Sequence, residues 1–192
     1  NGVIRLQAGA NGRTLVSGKL SAKGELQGTQ GGFISIEGKE VGLINHAVLD
    51  ASGKAGGGTI LVGGDYQGKN VNIQNANKTF VGQNATINVD ATEHGNGGKA
   101  IVWADDITRY YGNISAKGGA RAGHGGFAEV SGKRLLDFNG RADLSASNGL
   151  SGNLLLDPLN ITLTTADANT AGFTPPADIT EAFADDASLN ST

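Results

Sequence analysis

The chain has 192 residues, 32 of them glycine, with neither cysteine nor methionine. That length suits one domain. The glycines follow no three-residue period, which excludes collagen, and the lack of cysteine excludes disulfides and thiolate centres. With 15 basic and 18 acidic side chains the net charge is −3. No basic stripe marks a nucleic-acid footprint, so no nucleic-acid partner is expected.

Hydrophobic residues make up 38% and aromatics 5%. A core is affordable, but only one of small aliphatic side chains, so the expected body is narrow rather than globular. The chain begins at Asn1 with the strand-like run VIRLQ and without methionine, as expected of a mature or excised segment. It contains no signal peptide and no run of about 18 apolar residues.

Two phrases recur along the chain. The first is Leu20-Ser21-Ala22-Lys23-Gly24, followed by Leu49-Asp50-Ala51-Ser52-Gly53, Val89-Asp90-Ala91-Thr92, Ile114-Ser115-Ala116-Lys117-Gly118 and Leu144-Ser145-Ala146-Ser147. The second starts at a glycine (Gly32, Gly58, Gly98, Gly126, Gly152) and runs into four alternating residues. Two places after the glycine stand Ile34, Ile60, Ala100, Ala128 and Leu154. Four places after it stand Ile36, Val62, Val102, Val130 and Leu156. The intervening positions are mixed: Phe33, Thr59, Lys99, Phe127, Asn153, then Ser35, Leu61, Ile101, Glu129, Leu155.

Period-two alternation with one purely aliphatic face describes a strand with one buried side. Its recurrence in equivalent positions stacks strands in register. The predicted fold is all-β, a right-handed parallel β-helix of about six coils over residues 1–164, about 30 Å long at ~4.8 Å per coil. Each coil should hold three short strands and three turns, with glycine supplying positive φ at the turns. The step from Gly58 to Gly98 is the longest, and suits a bulged coil or an extra strand pair built from VNIQ and TFVGQNATINV. Residues 165–192 lose the repeat. They carry Asp167, Asp178, Glu181, Asp185 and Asp186 and no basic residue. They read as an irregular acidic linker, or as a short helix over ADITEAFADD capping the last coil.

Several stretches invite a chemical reading. HGNGGKAIVWADD gathers His94, the single tryptophan Trp103, and Asp105-Asp106. On the strand alignment the histidine and the acids fall at opposite ends of one strand, about 16 Å apart, beyond hydrogen-bond reach of a shared reacting group. The expected role is wall. His94 and His124 occupy the same kind of turn and could stack, but two histidines without a fixed third ligand make no metal site, and no cofactor is expected. The outward columns show no cluster of carboxylates of the kind a glycoside-cleaving groove needs, so no enzyme activity is expected. Apolar residues in those columns, Phe33, Leu61, Ile101, Phe127 and Leu155, form either a recognition surface or a surface shielded by an extra-helical hairpin or a neighbouring chain. Asn77, Asn84, Asn113, Asn160 and Asn190 begin Asn-x-Ser/Thr sequons; the first four are candidate glycosylation sites.

The ordered run GGKAIVWADDITRYYGNISAKGG, then GHGGFAEVSGK, then SGNLLLDPLNITL resembles the filamentous haemagglutinin-like exoproteins of two-partner secretion, over about residues 18–163. The resemblance implies a large parallel β-helix, exported through a partner outer-membrane β-barrel to the Gram-negative cell surface or medium. It implies an adhesive shaft that attaches to a host-cell or bacterial receptor, a glycan or matrix, with lateral self-association open. A stalk for a contact-dependent inhibition toxin or for haem acquisition is the alternative, and a β-helix carbohydrate-active enzyme a second. The NPNG-type motif of the family's secretion domain is missing from this chain, which places the segment after that domain.

The stacked aliphatic columns lead to a direct test. Val102→Asp puts an unpaired charge into the core and should cost several kcal/mol, read as a large drop in the denaturation midpoint. A variant that unfolds with the parent would reject the buried column.

Overall fold

The computed structural model describes residues 2–159. The chain winds into coils, each passing through three short strands. The first coil holds β1 (Val3–Gln7), β2 (Arg13–Val16) and β3 (Lys19–Ser21), and the second β4 (Phe33–Glu37), β5 (Glu40–Leu43) and β6 (Val48–Asp50). The third holds β7 (Thr59–Val62), β8 (Lys78–Val81) and β9 (Thr86–Asn88), and the fourth β10 (Lys99–Ala104), β11 (Ile107–Tyr110) and β12 (Asn113–Ser115). In the fifth are β13 (Phe127–Gly132), β14 (Leu135–Phe138) and β15 (Arg141–Asp143); β16 (Asn153–Pro158) opens the sixth.

Equivalent strands pair in parallel to give three sheets. Sheet A runs β1-β4-β7-β10-β13-β16, sheet B β2-β5-β8-β11-β14, and sheet C β3-β6-β9-β12-β15. This is a parallel β-solenoid of about six turns. The sheet A register is the one the glycine alignment predicts: Phe33 pairs with Thr59, Thr59 with Lys99, Lys99 with Phe127, and Phe127 with Asn153. Ile34, Ile60, Ala100 and Ala128 are fully buried, as are Ile36, Val62, Val102 and Val130. Leu154, in β16, is 39% exposed.

The first phrase is read less well by sequence. Sheet C pairs Leu49 with Ile87 rather than Val89, and Ile114 with Ala142 rather than Leu144. Two of the five copies are therefore displaced by two residues. A displacement of two keeps every side chain on its face, which is why the apolar pattern did not reveal it.

Glycine supplies positive φ at the turns, at Gly28, Gly56, Gly95 and Gly123, but the aligned glycines work differently. Gly32, Gly58, Gly98, Gly126 and Gly152 do not have positive φ. A Cβ at Gly58 would stand 2.1 Å from the Gly32 carbonyl oxygen, and one at Gly98 2.1 Å from that of Gly58. Gly126 and Gly152 repeat this approach at 2.2 and 1.9 Å. Within each coil the same glycine donates its N–H to the carbonyl that ends sheet C's inward column: Gly58 to Ala51 at 2.8 Å, Gly98 to Val89 and Gly126 to Ala116 at 2.7 Å. The corner is pinched shut, and the residues between, such as 90–97 and 117–125, loop outward from a closed base.

A second corner is joined by threonine. The hydroxyls of Thr14, Thr79 and Thr108 donate to the carbonyls of Glu37, Trp103 and Ser131 in the following coil, at 2.7, 2.6 and 2.6 Å. In the second coil the equivalent residue is Val41, paired between Thr14 and Thr79. The carbonyl it would have reached belongs to Gly63, which accepts instead from the Ala76 N–H at 2.7 Å. That bond closes the base of the longest excursion, residues 64–75. The predicted extra strand pair does not form. VNIQ has no strand, and TFVGQNATINV supplies β8 and β9, ordinary strands of the third coil.

The pinched corner separates glycines by cause. Gly98→Ala must push backbone against backbone and should cost several kcal/mol, whereas Gly18→Ala, with nothing within 4 Å of the new Cβ, should leave the melting temperature unchanged within a degree or two. Equal effects in thermal melts would remove close approach as the reason for the column.

Candidate recognition surface

Sheet A's outward residues are the ones the sequence offered for recognition, and the structure divides them. Leu61 and Ile101 are 2% and 0% exposed, and Trp103, next along the same face, is 2% exposed. They pack with Ile73 of the excursion into a second hydrophobic cluster outside the coil, against which Phe33 and Phe127 rest. Leu61 and Ile101 are therefore not a contact surface. The outward direction was read correctly, but the chain's own excursion covers them. Phe33 and Phe127 are half-buried on the rim: the Arg5 guanidinium lies 4.8 Å above the Phe33 ring, and Tyr66 meets Phe127 edge-on at 5.8 Å. Leu155 is half-buried in β16.

The excursion is held down by two glutamates. Glu129, fully buried, accepts the Gln67 N–H at 3.2 Å with both carboxylate oxygens. Glu37, 3% exposed, accepts the Gln74 N–H at 3.1 Å. Each is supported by a serine two residues away on the same face: Ser131 donates to Glu129 and Ser35 to Glu37, both at 2.8 Å. Asp65 accepts from the Tyr66 N–H, the Asn70 amide and the Lys99 ammonium. Partial burial opposes its charge, yet the hydrogen bonds from Asn70, Lys99 and Tyr66 outweigh it and hold its pKa below the usual carboxylate range. The chain then crosses Trp103 so closely that a Cβ at Gly68 would lie 2.6 Å from the indole. Gly68 and Gln67 both have positive φ, 62° and 53°. At the tip, Val71 is 95% exposed.

The sequence gives a faint sign of these two pins, the mirrored Ser-x-Glu of 35–37 and Glu-x-Ser of 129–131. Alternation places all four outside, where a charged residue reads as solvated. Only the covering excursion makes them buried acceptors.

The histidines do not stack. His94 bridges to Ala122, and His124 lies opposite Asn96, whose side-chain oxygen accepts the His124 N–H at 2.8 Å. His124 Nδ1 accepts from the Leu150 N–H at 2.9 Å. Asp105, at the far end of β10, accepts from Trp103 Nε1 at 3.2 Å and pairs with Lys133 at 2.8 Å. No group of three or more His, Asp or Glu among the described residues is arranged to hold a metal. HGNGGKAIVWADD is accordingly a turn, a wall strand and a corner.

Asn77, Asn84 and Asn113 are exposed. The Thr79 hydroxyl of the first sequon is committed to the Trp103 carbonyl, and the Ser115 hydroxyl of the third to Asp90 at 2.7 Å. Asn160, Asn190 and the acidic segment 165–192 lie outside the described residues.

No family model and no curated protein matches the chain. Among solved structures it is similar to the HMW1 secretion domain from Haemophilus influenzae, with a TM-score of 0.63 and 37% sequence identity. The match covers 79% of this chain and 39% of that one, so the chain spans well under half the length of the solved domain. No helix among the described residues is long and apolar enough to cross a membrane.

Burial is the largest influence on Glu129 and raises its pKa; the charge of Asp157 adds to the rise, and the bonds from Ser131 and Gln67 only partly offset it. The folded state thus favours the neutral acid. The stability this contributes is present in acid and is lost as pH rises through the raised pKa. Glu129→Gln has no such loss, so relative to the parent it should gain stability between about pH 4 and about pH 7. Urea denaturation of both proteins at the two pH values measures this. A constant difference would show that the carboxylate is not strained by burial.

Proposed function

We propose that this chain is a shaft segment of a two-partner secretion exoprotein, threaded through an outer-membrane β-barrel partner and then folded outside as a rigid rod that serves attachment to cells or matrix. The observation that carries the reading is the 37% identity to a secretion domain, maintained over 79% of a chain whose described part is a parallel solenoid. The ordered motifs VWAD, GGFAEVSGK and LLLDPLNI add the resemblance to filamentous haemagglutinin-like exoproteins.

The physics of the coil supports export in an extended state. Nothing in the chain can be cross-linked by a disulfide, as there is no cysteine. Each coil contacts mainly its neighbours, so folding can proceed coil by coil as the chain emerges. On the finished rod, the excursion presents Val71 at its tip to solvent. This reading assigns no catalysis to the chain.

Two measurements test it. Placed behind the export signal of a two-partner system, the chain should reach the medium only when the outer-membrane transporter is present; release without it would reject the secretion route. The purified chain should bind epithelial cells or matrix-coated surfaces saturably, and Val71→Asp should weaken that binding several-fold with the fold intact. Absence of binding by the parent would reject attachment for this segment.

A further inference from the structure

The corner between sheets B and C has two lengths. Four residues, 82–85, connect β8 to β9, but only two connect β11 to β12 (Tyr111-Gly112) and β14 to β15 (Asn139-Gly140). The register on both sides is unbroken: Val81 pairs with Tyr110 and Thr86 with Asn113. The longer corner of the third coil must therefore overhang the shorter corners of the fourth and fifth. The short corners are glycine-dependent, since a Cβ at Gly140 would lie 2.3 Å from the Tyr110 ring and one at Gly112 2.7 Å from the Ala85 carbonyl. The step leaves a polar notch of about 470 Å³, lined by Gln83, Tyr111, Asn113, Asn139, Gly140 and Arg141.

The side chains around this notch differ from those elsewhere on the surface. Most charged groups on the rod are paired across coils: Arg13 with Glu40, Lys54 with Glu93, Lys99 with Asp65, Lys133 with Asp105, and Arg134 with Asp106. Among the described residues Arg141 has no ion-pair or side-chain hydrogen-bond partner, and neither do the amides of Gln83, Asn113 and Asn139. Three amides and one guanidinium, from three successive coils, thus converge with their hydrogen-bonding capacity unused. No carboxylate lines the notch. Asp137, behind it, accepts from the Tyr111 hydroxyl at 2.5 Å.

We propose that this notch is a binding site for the uronic acid unit of an acidic saccharide. Amides both donate and accept, which matches vicinal hydroxyls that do the same. The guanidinium offers a planar fork of donors that fits a carboxylate in bidentate fashion. A neutral sugar would leave Arg141 without its anion, and a bare carboxylate would leave the amides idle. The volume lies within the range of small-ligand sites. The site is distinct from the excursion on sheet A, and the proposal does not depend on the shaft reading.

The test is ligand-observed NMR with the whole chain and three probes: glucuronate, glucose and acetate. Glucuronate should bind, with glucose and acetate each at least about tenfold weaker, since loss of a charge-assisted pair is of that order. Arg141→Leu should reduce glucuronate binding about tenfold or more, and Asn139→Ala several-fold. Because both side chains are exposed and unpaired, the melting temperatures should match the parent, which separates a lost site from a lost fold. Asn84→Ala, an exposed residue of the same long corner outside the notch lining, should bind like the parent. Binding of acetate as tight as glucuronate would overturn the saccharide assignment. Glucuronate binding unchanged in Arg141→Leu, or undetectable in the parent, would overturn the site.

Discussion

Each coil lies on the next at the separation of hydrogen-bonded parallel strands, about 4.8 Å, and every other feature must fit within that spacing. At the corner from sheet C to sheet A the separation leaves no room for a side chain. The glycine of one coil lies where the Cβ of the next would be. That contact sets the register of sheet A, closes the base of each outward loop with an N–H···O bond, and lets those loops change length without disturbing the strands. Threonine performs the complementary task at the corner from A to B, where a hydroxyl bridges one coil to the carbonyl of the following one.

Variation is pushed outward by this arrangement. The inner columns are mostly Ile, Val, Leu and Ala, with Thr79 and Thr108 buried at the A–B corner and Tyr110 stacked flat on Phe138 at 5.3 Å. Insertions leave the coil only at corners, and each departure is closed by a backbone bond. The excursion of residues 64–75 is the largest case. It departs from the third coil, next to the second-coil position where Val41 stands between two threonine-bearing coils, and the carbonyl that this valine leaves free receives the excursion's returning N–H. Having left, it must satisfy the polar groups it buries, and Glu37 and Glu129 do so from the wall beneath. Those carboxylates are acceptors for a strap, and their burial sets them apart from the paired surface charges around them.

The same rule explains why candidate binding features lie at corners. A flat ladder of parallel strands presents little concave surface. Concavity arises where neighbouring coils differ in corner length, as between the third coil and the two that follow it, or where an excursion folds back over a sheet. Function in such a rod is carried by differences between coils, while stability comes from their sameness.

How much of this the sequence determined by itself follows from what alternation encodes. Strand identity, facing, sheet A register and the number of coils were legible because an in-register stack repeats one apolar pattern, and glycine marked its start at Gly32, Gly58, Gly98, Gly126 and Gly152. The sheet C register was not, since displacing Ile87 for Val89 or Ala142 for Leu144 preserves the facing of every residue. The fate of Leu61 and Ile101 stayed open in the sequence between a contact surface and a shielded one. Alternation says which way a side chain points and nothing about what lies over it, and the cover comes from residues 64–75, part of which, VNIQ, reads as a strand. Only the tertiary structure decided that the outward apolar strip is a second core, that Glu37 and Glu129 are buried acceptors, and that Gln83, Asn113, Asn139 and Arg141 converge. Those outcomes depend on corner lengths measured between coils, a quantity no single stretch of sequence contains.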